Sequence, residues 1–238
     1  MIPGRNKERD GVERELSLDA DGVELAGTLG LPTNPKGLVL FAHGSGSSRH
    51  SPRNRYVAQV LHSRGIATLL FDLLTREEEA ADQWTAELRF DIALLARRLS
   101  SATRSILRNP DMKNLKVGYF GASTGAGAAI VAAAEFPENV AAIVSRGGRP
   151  DLAMEALRSV QAPTLLIVGG NDEPVIEMNR QALAELGCPE KELMIVPGAT
   201  HLFEEPGTLE EVARLAAEWF IRHLAPASRL QTEVSVNR

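Results

Sequence analysis

Residues 116–129, KVGYFGASTGAGAA, restrict the fold of this chain more than any other stretch. Val117, Tyr119 and Phe120 read as a buried strand, and the small residues from Ala126 to Ala134 read as a tightly packed helix. Between them stands Gly121-Ala122-Ser123-Thr124-Gly125, a Gly-x-Ser-x-Gly pattern. In a sharp strand-to-helix turn, side chains two positions either side of the serine would collide, and glycine at both places removes them. The serine hydroxyl then projects over the sheet edge. The Thr124 N–H lies at a helix start, unpaired and aimed where an oxyanion could form. Glycine-rich loops match the pattern by chance, so the strand and helix on either side give it its weight.

The rest of the chain supplies the frame such a turn needs. Val12, Arg14, Leu16 and Leu18 alternate, Asp21-Gly22 marks a tight turn, and Val23–Leu29 returns, which predicts a hairpin. From Leu38 the pattern becomes short continuous apolar runs separated by helical segments, the signature of parallel strands buried on both faces. The predicted strands are Leu38–Ala42, Ala67–Phe71, Lys116–Phe120, Ala141–Val144, Thr164–Val168 and Leu193–Val196. The predicted helices fall near 53–64, 83–108, 124–135, 151–159, 175–186 and 208–224. In the last, Leu209, Val212, Leu215, Ala216, Trp219 and Phe220 follow helical spacing. The expected organisation is a mobile arm over 1–11, a single α/β domain over 12–225 and a frayed tail over 226–238. Ser145 to Pro163 has room for one helix and its loops, so no large lid domain is expected there.

A serine hydroxyl is a poor nucleophile at neutral pH and needs a base, with a third group to orient that base. The elbow and the strand pattern resemble the α/β-hydrolase fold, which implies a base after the last strand, where Pro197-Gly198-Ala199-Thr200-His201 stands. The acid should follow the strand before it, which leads into Gly169-Gly170-Asn171-Asp172. Asp172 is the candidate, with Glu173 and Asp151 as rivals and a helix N-cap as its alternative role. A second oxyanion donor should come from the loop after the first parallel strand, His43-Gly44-Ser45-Gly46, where small residues let backbone N–H groups approach a reacting carbonyl. There, His43 is read as shaping the loop by hydrogen bonding.

These four segments, His43-Gly44-Ser45, Gly121–Gly125, Gly169–Asp172 and Gly198–His201, resemble those of small α/β-hydrolases of the dienelactone hydrolase-like group. The resemblance implies a mostly parallel eight-stranded sheet with helices on both faces. It also implies a Ser123–His201–Asp172 triad and an oxyanion hole from the Ser45 and Thr124 N–H groups. True dienelactone hydrolases carry cysteine at the elbow, whereas this chain has Ser123, so the implied activity is that of a general carboxylesterase (EC 3.1.1-type) working through an acyl-enzyme. Short, soluble acyl esters are the expected substrates, with thioesters or lactones as alternatives. His50, Arg146, Arg149, Leu74 and Phe203 are candidates for contacting substrate. No cofactor and no metal site is expected.

Composition closes off other classes. With 26 basic against 31 acidic residues, the net charge of −5 carries no nucleic-acid or membrane-surface footprint. A single cysteine, Cys188, excludes an internal disulfide, and the charged N-terminus lacks a signal-peptide core; a cytoplasmic protein is the expectation. A nucleotide-binding reading is offered by Gly44-Ser45-Gly46 after a strand, with Asp72 ending the next. Arg49 in place of the third glycine, and Pro52 delaying the helix, count against it. A hydrolase fold used only as a binding module is the remaining alternative.

Overall fold

The computed structural model describes residues 12–226. The expected arm over 1–11 and nearly all of the tail over 226–238 lie outside the described residues. β1 (Val12–Ala20) and β2 (Val23–Leu31) form the expected hairpin. Its turn residues Asp21 and Gly22 both have positive φ, 57° and 79°, the backbone that matches a two-residue turn to the twist of its strands. β3 (Leu38–Ala42), β4 (Ala67–Phe71), β5 (Val117–Ala122), β6 (Val140–Arg146), β7 (Thr164–Gly169) and β8 (Lys191–Val196) complete an eight-stranded sheet. The order is β1-β2-β4-β3-β5-β6-β7-β8, and β2 runs against both of its neighbours while the β3-to-β8 ladder is parallel.

Helices cover both faces, which is why β3, β4, β5 and β7 are buried along their whole length. On one face α1 (Pro52–Ser63) and α7 (Thr208–Leu224) pack over Val39, Phe41, Phe120 and Val144, α7 contributing Val212, Ala216, Trp219 and Phe220. On the other, α3 (Ile92–Leu107) and α4 (Thr124–Glu135) pack over Leu40, Leu69, Tyr119 and Ile143, and α6 (Glu173–Glu185) adds Ala182. The loop after β3 leads to α1 on one face and the loop after β5 leads to α4 on the other. Their divergence opens a crevice at the carboxyl ends of two adjacent strands, the place where open α/β sheets bind ligands.

One expectation fails in detail. The single helix expected over 83–108 is two helices, α2 (Arg76–Thr85) and α3, separated by Ala86 in the left-handed region and a 3-10 turn at Leu88–Phe90. Capping decides the break. Asp91 accepts the Leu94 N–H at 2.9 Å and starts α3 afresh. Asp82, 2% exposed, accepts the Leu88 N–H and the Arg89 Nε–H, each at 2.6 Å, and folds the connection back on α2. The acidic run Glu77–Glu79, which by composition alone would read as a solvated face, is partly engaged by the fold. Glu78 closes a capping box with Thr75 and takes both terminal nitrogens of the buried Arg98, whose guanidinium holds the carboxyl below the usual carboxylate range. The resulting short α2 cap beside the sheet is no large extra domain. Among the described residues no helix is long and apolar enough to cross a membrane.

Gly125 shows how tightly the crevice is built. A Cβ there would stand 2.2 Å from the Ala42 carbonyl oxygen and 2.5 Å from that of His43, both backbone atoms with no rotamer to yield. Gly125→Ala is expected to lose about 3 kcal/mol or more in urea unfolding, at the upper end of overpacking costs. A loss below about 1 kcal/mol would show that the β3–α4 contact can relax.

Candidate active site

β5 delivers Ser123 into the crevice in a conformation L-residues avoid, φ 51° and ψ −120°. Its backbone is tied from both sides by the end of β6 and the segment that follows it. The Ser123 N–H donates to the Arg146 carbonyl at 3.2 Å, and the Ser123 carbonyl accepts the Arg149 N–H at 3.0 Å. Gly121 is required because a Cβ would stand 2.4 Å from the Ala126 Cα where α4 begins.

His201 reaches the serine from the loop between β8 and α7. Its Nε2 lies 3.4 Å from Ser123 Oγ and its Nδ1 lies 2.6 Å from Asp172 Oδ2. Asp172 occupies the N-cap position of α6, yet its side chain makes no capping bond and is given to His201 instead. That separates it from the helix-cap role. The rivals fall away as well: Asp151 is taken by Arg149, at 2.7 and 2.8 Å, and Glu173 lies inside α6. The two loops carrying acid and base are laced together by backbone. The Gly170 N–H donates to Val196 O at 2.8 Å, the Asn171 N–H to Ala199 O at 2.9 Å, and Asn171 Nδ2 to Gly198 O at 2.9 Å. Gly169 permits this contact, since a Cβ would stand 2.5 Å from Ala199 O. Glu205 braces the base loop by accepting from Thr200 N–H at 3.0 Å and Thr200 Oγ–H at 2.7 Å. Sequence reading missed Asn171 and Glu205, because nothing in a polar loop marks which side chain meets which backbone group.

The loop after β3 lies against the same turn. Thr124, 2% exposed, is the first residue of α4, and its Oγ accepts the Ser45 N–H at 2.8 Å. His43 Nε2 accepts the Leu73 N–H at 3.1 Å, which leaves the proton on Nδ1 to donate to Gly44 O at 3.0 Å. Its imidazole is thus a brace between β3 and β4, and burial holds it below the ordinary histidine value. Asp72, the residue a nucleotide reading would give to a ribose, accepts the Arg49 N–H at 2.8 Å and pairs with the Arg49 guanidinium.

The remaining candidates separate. Leu74 lines a cavity of about 180 Å³ that runs from Gly44, Ser45 and Thr124 under α2, with Leu73 and Leu95 as its other apolar walls. His50 faces a different cavity, about 570 Å³, between α1 and the β1–β2–β4 part of the sheet. Phe203 is 1% exposed and packs in the α1/α7 core, which corrects its placement as an open pocket wall; the apolar run of that core claims it. Arg149 is held by Asp151. Arg146 is buried at the end of β6 beside the elbow, with no hydrogen-bond partner for Nε and Nη1 among the described residues. Among the described residues no group of three or more His, Cys, Asp or Glu side chains is placed to hold a metal ion.

A mostly parallel eight-stranded sheet with an elbow serine, a histidine and an aspartate at its carboxyl edge is an α/β-hydrolase arrangement. The chain belongs to the dienelactone hydrolase family, whose model matches residues 25–224. It is 61% identical to a dienelactone hydrolase from Anabaena variabilis of solved structure, with a TM-score of 0.88 over 90% of this chain and 99% of that one. Est1E from Butyrivibrio proteoclasticus shares the fold at 16% identity, with a TM-score of 0.74 over 87% of this chain and 98% of that one. Proteins of Mycobacterium tuberculosis named as putative phosphoribosyl transferases are 61% identical over 213 residues, which is 89% of this chain and 47% of theirs. The chain therefore spans about half the length of these curated relatives.

The buried His43 has a pH signature. Its folded value lies below the ordinary 6.5, so below pH 6.5 the unfolded chain binds a proton that the folded chain refuses. Stability should fall as pH drops from about 6.5 toward the depressed value, by up to about 1.4 kcal/mol per pH unit from this residue. Urea unfolding between pH 7 and 5.5 should show this slope in wild type and a flatter one in His43→Gln. Equal slopes would remove His43 as its source.

Proposed function

We propose that this protein is a serine hydrolase that cleaves short, soluble carboxylic esters through an acyl-enzyme. The observation that carries the reading is the relay Ser123 Oγ, His201, Asp172, with separations of 3.4 and 2.6 Å. The longer of the two is at the loose end for a hydrogen bond, as is common before substrate tightens the site.

In this reading Ser123 Oγ attacks the ester carbonyl carbon while its proton passes to His201 Nε2. The Asp172 carboxylate holds Nδ1–H and stabilises the imidazolium. The carbonyl oxygen, now anionic, takes the Thr124 N–H at the start of α4 and the N–H of Ser45. Because the Ser45 N–H already donates to Thr124 Oγ, the oxyanion replaces or shares that bond with the threonine hydroxyl. Collapse breaks the C–O bond, and the imidazolium returns its proton to the leaving alkoxide. Water then repeats the sequence on the acyl-serine, and Ser123 is regenerated. No cofactor enters these steps.

The cavity of about 180 Å³ beside Ser45 and Thr124 favours a small acyl group against Leu73, Leu74 and Leu95. The family and the 61% identical dienelactone hydrolase support hydrolysis as the reaction class. The phosphoribosyl transferase name belongs to proteins about twice as long, and the relay gives no reason to carry it to this chain.

A fluorophosphonate probe should label wild type and leave Ser123→Ala unlabelled; an unlabelled, folded wild type would refute the nucleophile. Asp172→Asn should lower kcat by about 10⁴-fold through loss of the histidine tautomer. With 4-nitrophenyl esters, acetate and butyrate should be turned over faster than long-chain esters. The reverse order would overturn the assignment of the small cavity to the acyl group.

A further inference from the structure

Arg146 carries a charge that nothing among the described residues neutralises. Its side chain leaves β6 on the same face as Ala142 and Val144, toward α1 and α7, and the residue is 7% exposed. Nε and Nη1 are buried without a partner, and the ionic pairs of the described residues do not include it. Burying an unpaired guanidinium costs several kcal/mol, so a fold keeps one only where something offsets that cost. Desolvation, together with repulsion from Arg53, brings its pKa down to about 10, which leaves it charged at neutral pH.

The neighbourhood adds positive character. Arg53 stands in the first turn of α1, its own Nε buried and unpartnered, and its guanidinium meets only the exposed Glu204, at 3.3 Å. That first turn has no acidic residue, so the partial positive charge of the N-terminus of α1 is also uncompensated. The site borders the chemistry. The Arg146 carbonyl accepts the Ser123 N–H, and a Cβ on the next residue, Gly147, would stand 3.2 Å from His201 O and 3.5 Å from His201 Cε1.

We propose that Arg146, supported by Arg53 and the N-terminus of α1, is a specificity-determining subsite for an anionic group, carboxylate or phosphate, on the substrate. This rests on the serine hydrolase reading for its place in catalysis, but not for the binding of the anion. A guanidinium is suited to either group because its fork of N–H donors matches paired oxygens. Arg149, the neighbouring arginine, has already spent its fork on Asp151.

Two measurements on the intact chain test the proposal. The first is thermal stability with succinate or inorganic phosphate in the millimolar range. Either anion should raise the Tm of wild type by mass action, and the rise should vanish in Arg146→Met and shrink in Arg53→Gln. Arg146→Met should also melt higher than wild type without ligand, because it removes an unpaired buried charge. A structural arginine would give the opposite, a lower Tm. The second is the ratio of kcat/KM for 4-carboxyphenyl acetate to that for phenyl acetate, a pair that carries the anion on the leaving group and keeps the acyl group small enough for the cavity under α2. It should fall about tenfold or more in Arg146→Met, mostly through KM, and recover in part in Arg146→Lys. Stabilisation by succinate alone assigns the subsite to carboxylates, and stabilisation by phosphate alone assigns it to phosphate esters. No stabilisation by either anion, or an unchanged ratio in Arg146→Met, overturns the subsite. If fluorophosphonate labelling fails while the anion effect on Tm persists, the hydrolase reading falls and the anion site stands.

Discussion

The strained backbone at Ser123 is the constraint on which the rest of the site depends. A non-glycine residue at φ 51° and ψ −120° costs of order 1–3 kcal/mol and persists only where its surroundings over-determine it. Here they do so by backbone alone: the end of β6 and the segment that follows it bind both the Ser123 N–H and the Ser123 carbonyl, while α4 begins at once on Thr124. Glycines 121 and 125 allow that packing, the first against α4 and the second against the end of β3. The strain has a use. In the proposed mechanism, nucleophile and first oxyanion donor are then adjacent residues of one fixed turn, Ser123 and Thr124.

The same economy extends outward through loops. Asp172 and His201, the proposed acid and base, follow the adjacent strands β7 and β8, and their loops meet because Gly169 lets one backbone approach the other. His201 is therefore oriented by a carboxylate whose own loop is bonded to the loop of the histidine. On the opposite side His43 and the Asp72–Arg49 pair hold the turn after β3 against β4. Charged and titratable groups close to the site are in this sense mostly structural, engaged with backbone or with one another.

Most of the frame was legible in the sequence because it is governed by local rules. Asp21-Gly22 announced its hairpin by the positive φ both residues accept, and the apolar runs from Leu38 onward announced buried parallel strands. The order of Ser123, Asp172 and His201 followed from one fold-level rule. What stayed hidden depends on partners far along the chain. The break between α2 and α3 hinges on Asp82 reaching Leu88 and Arg89, and the role of Glu78 on Arg98 from the next helix. Phe203 looked like a pocket residue by its nearness to His201. A positive φ of 55° turns it instead into the core. Sequence position gave the neighbourhood and the backbone turn gave the direction.

The contrast between Arg98 and Arg146 sharpens what remains distinctive. Both are buried arginines close to the sheet. Arg98 gives its terminal nitrogens to the Glu78 carboxylate and the Leu73 carbonyl, with only its Nε unpartnered among the described residues, and it fastens the α2 cap. Among the described residues Arg146 has no such carboxylate, and the charge that acts on it is that of another arginine, Arg53. A chain that can place Glu78 against Arg98, and Asp151 against Arg149, has the means to neutralise a guanidinium where stability asks for it. Leaving Arg146 bare beside the nucleophile and the base makes physical sense if its counter-charge arrives from outside, bound only while substrate is present. On that view the elbow fixes how the protein reacts, and the unpaired charge behind it selects what it reacts with.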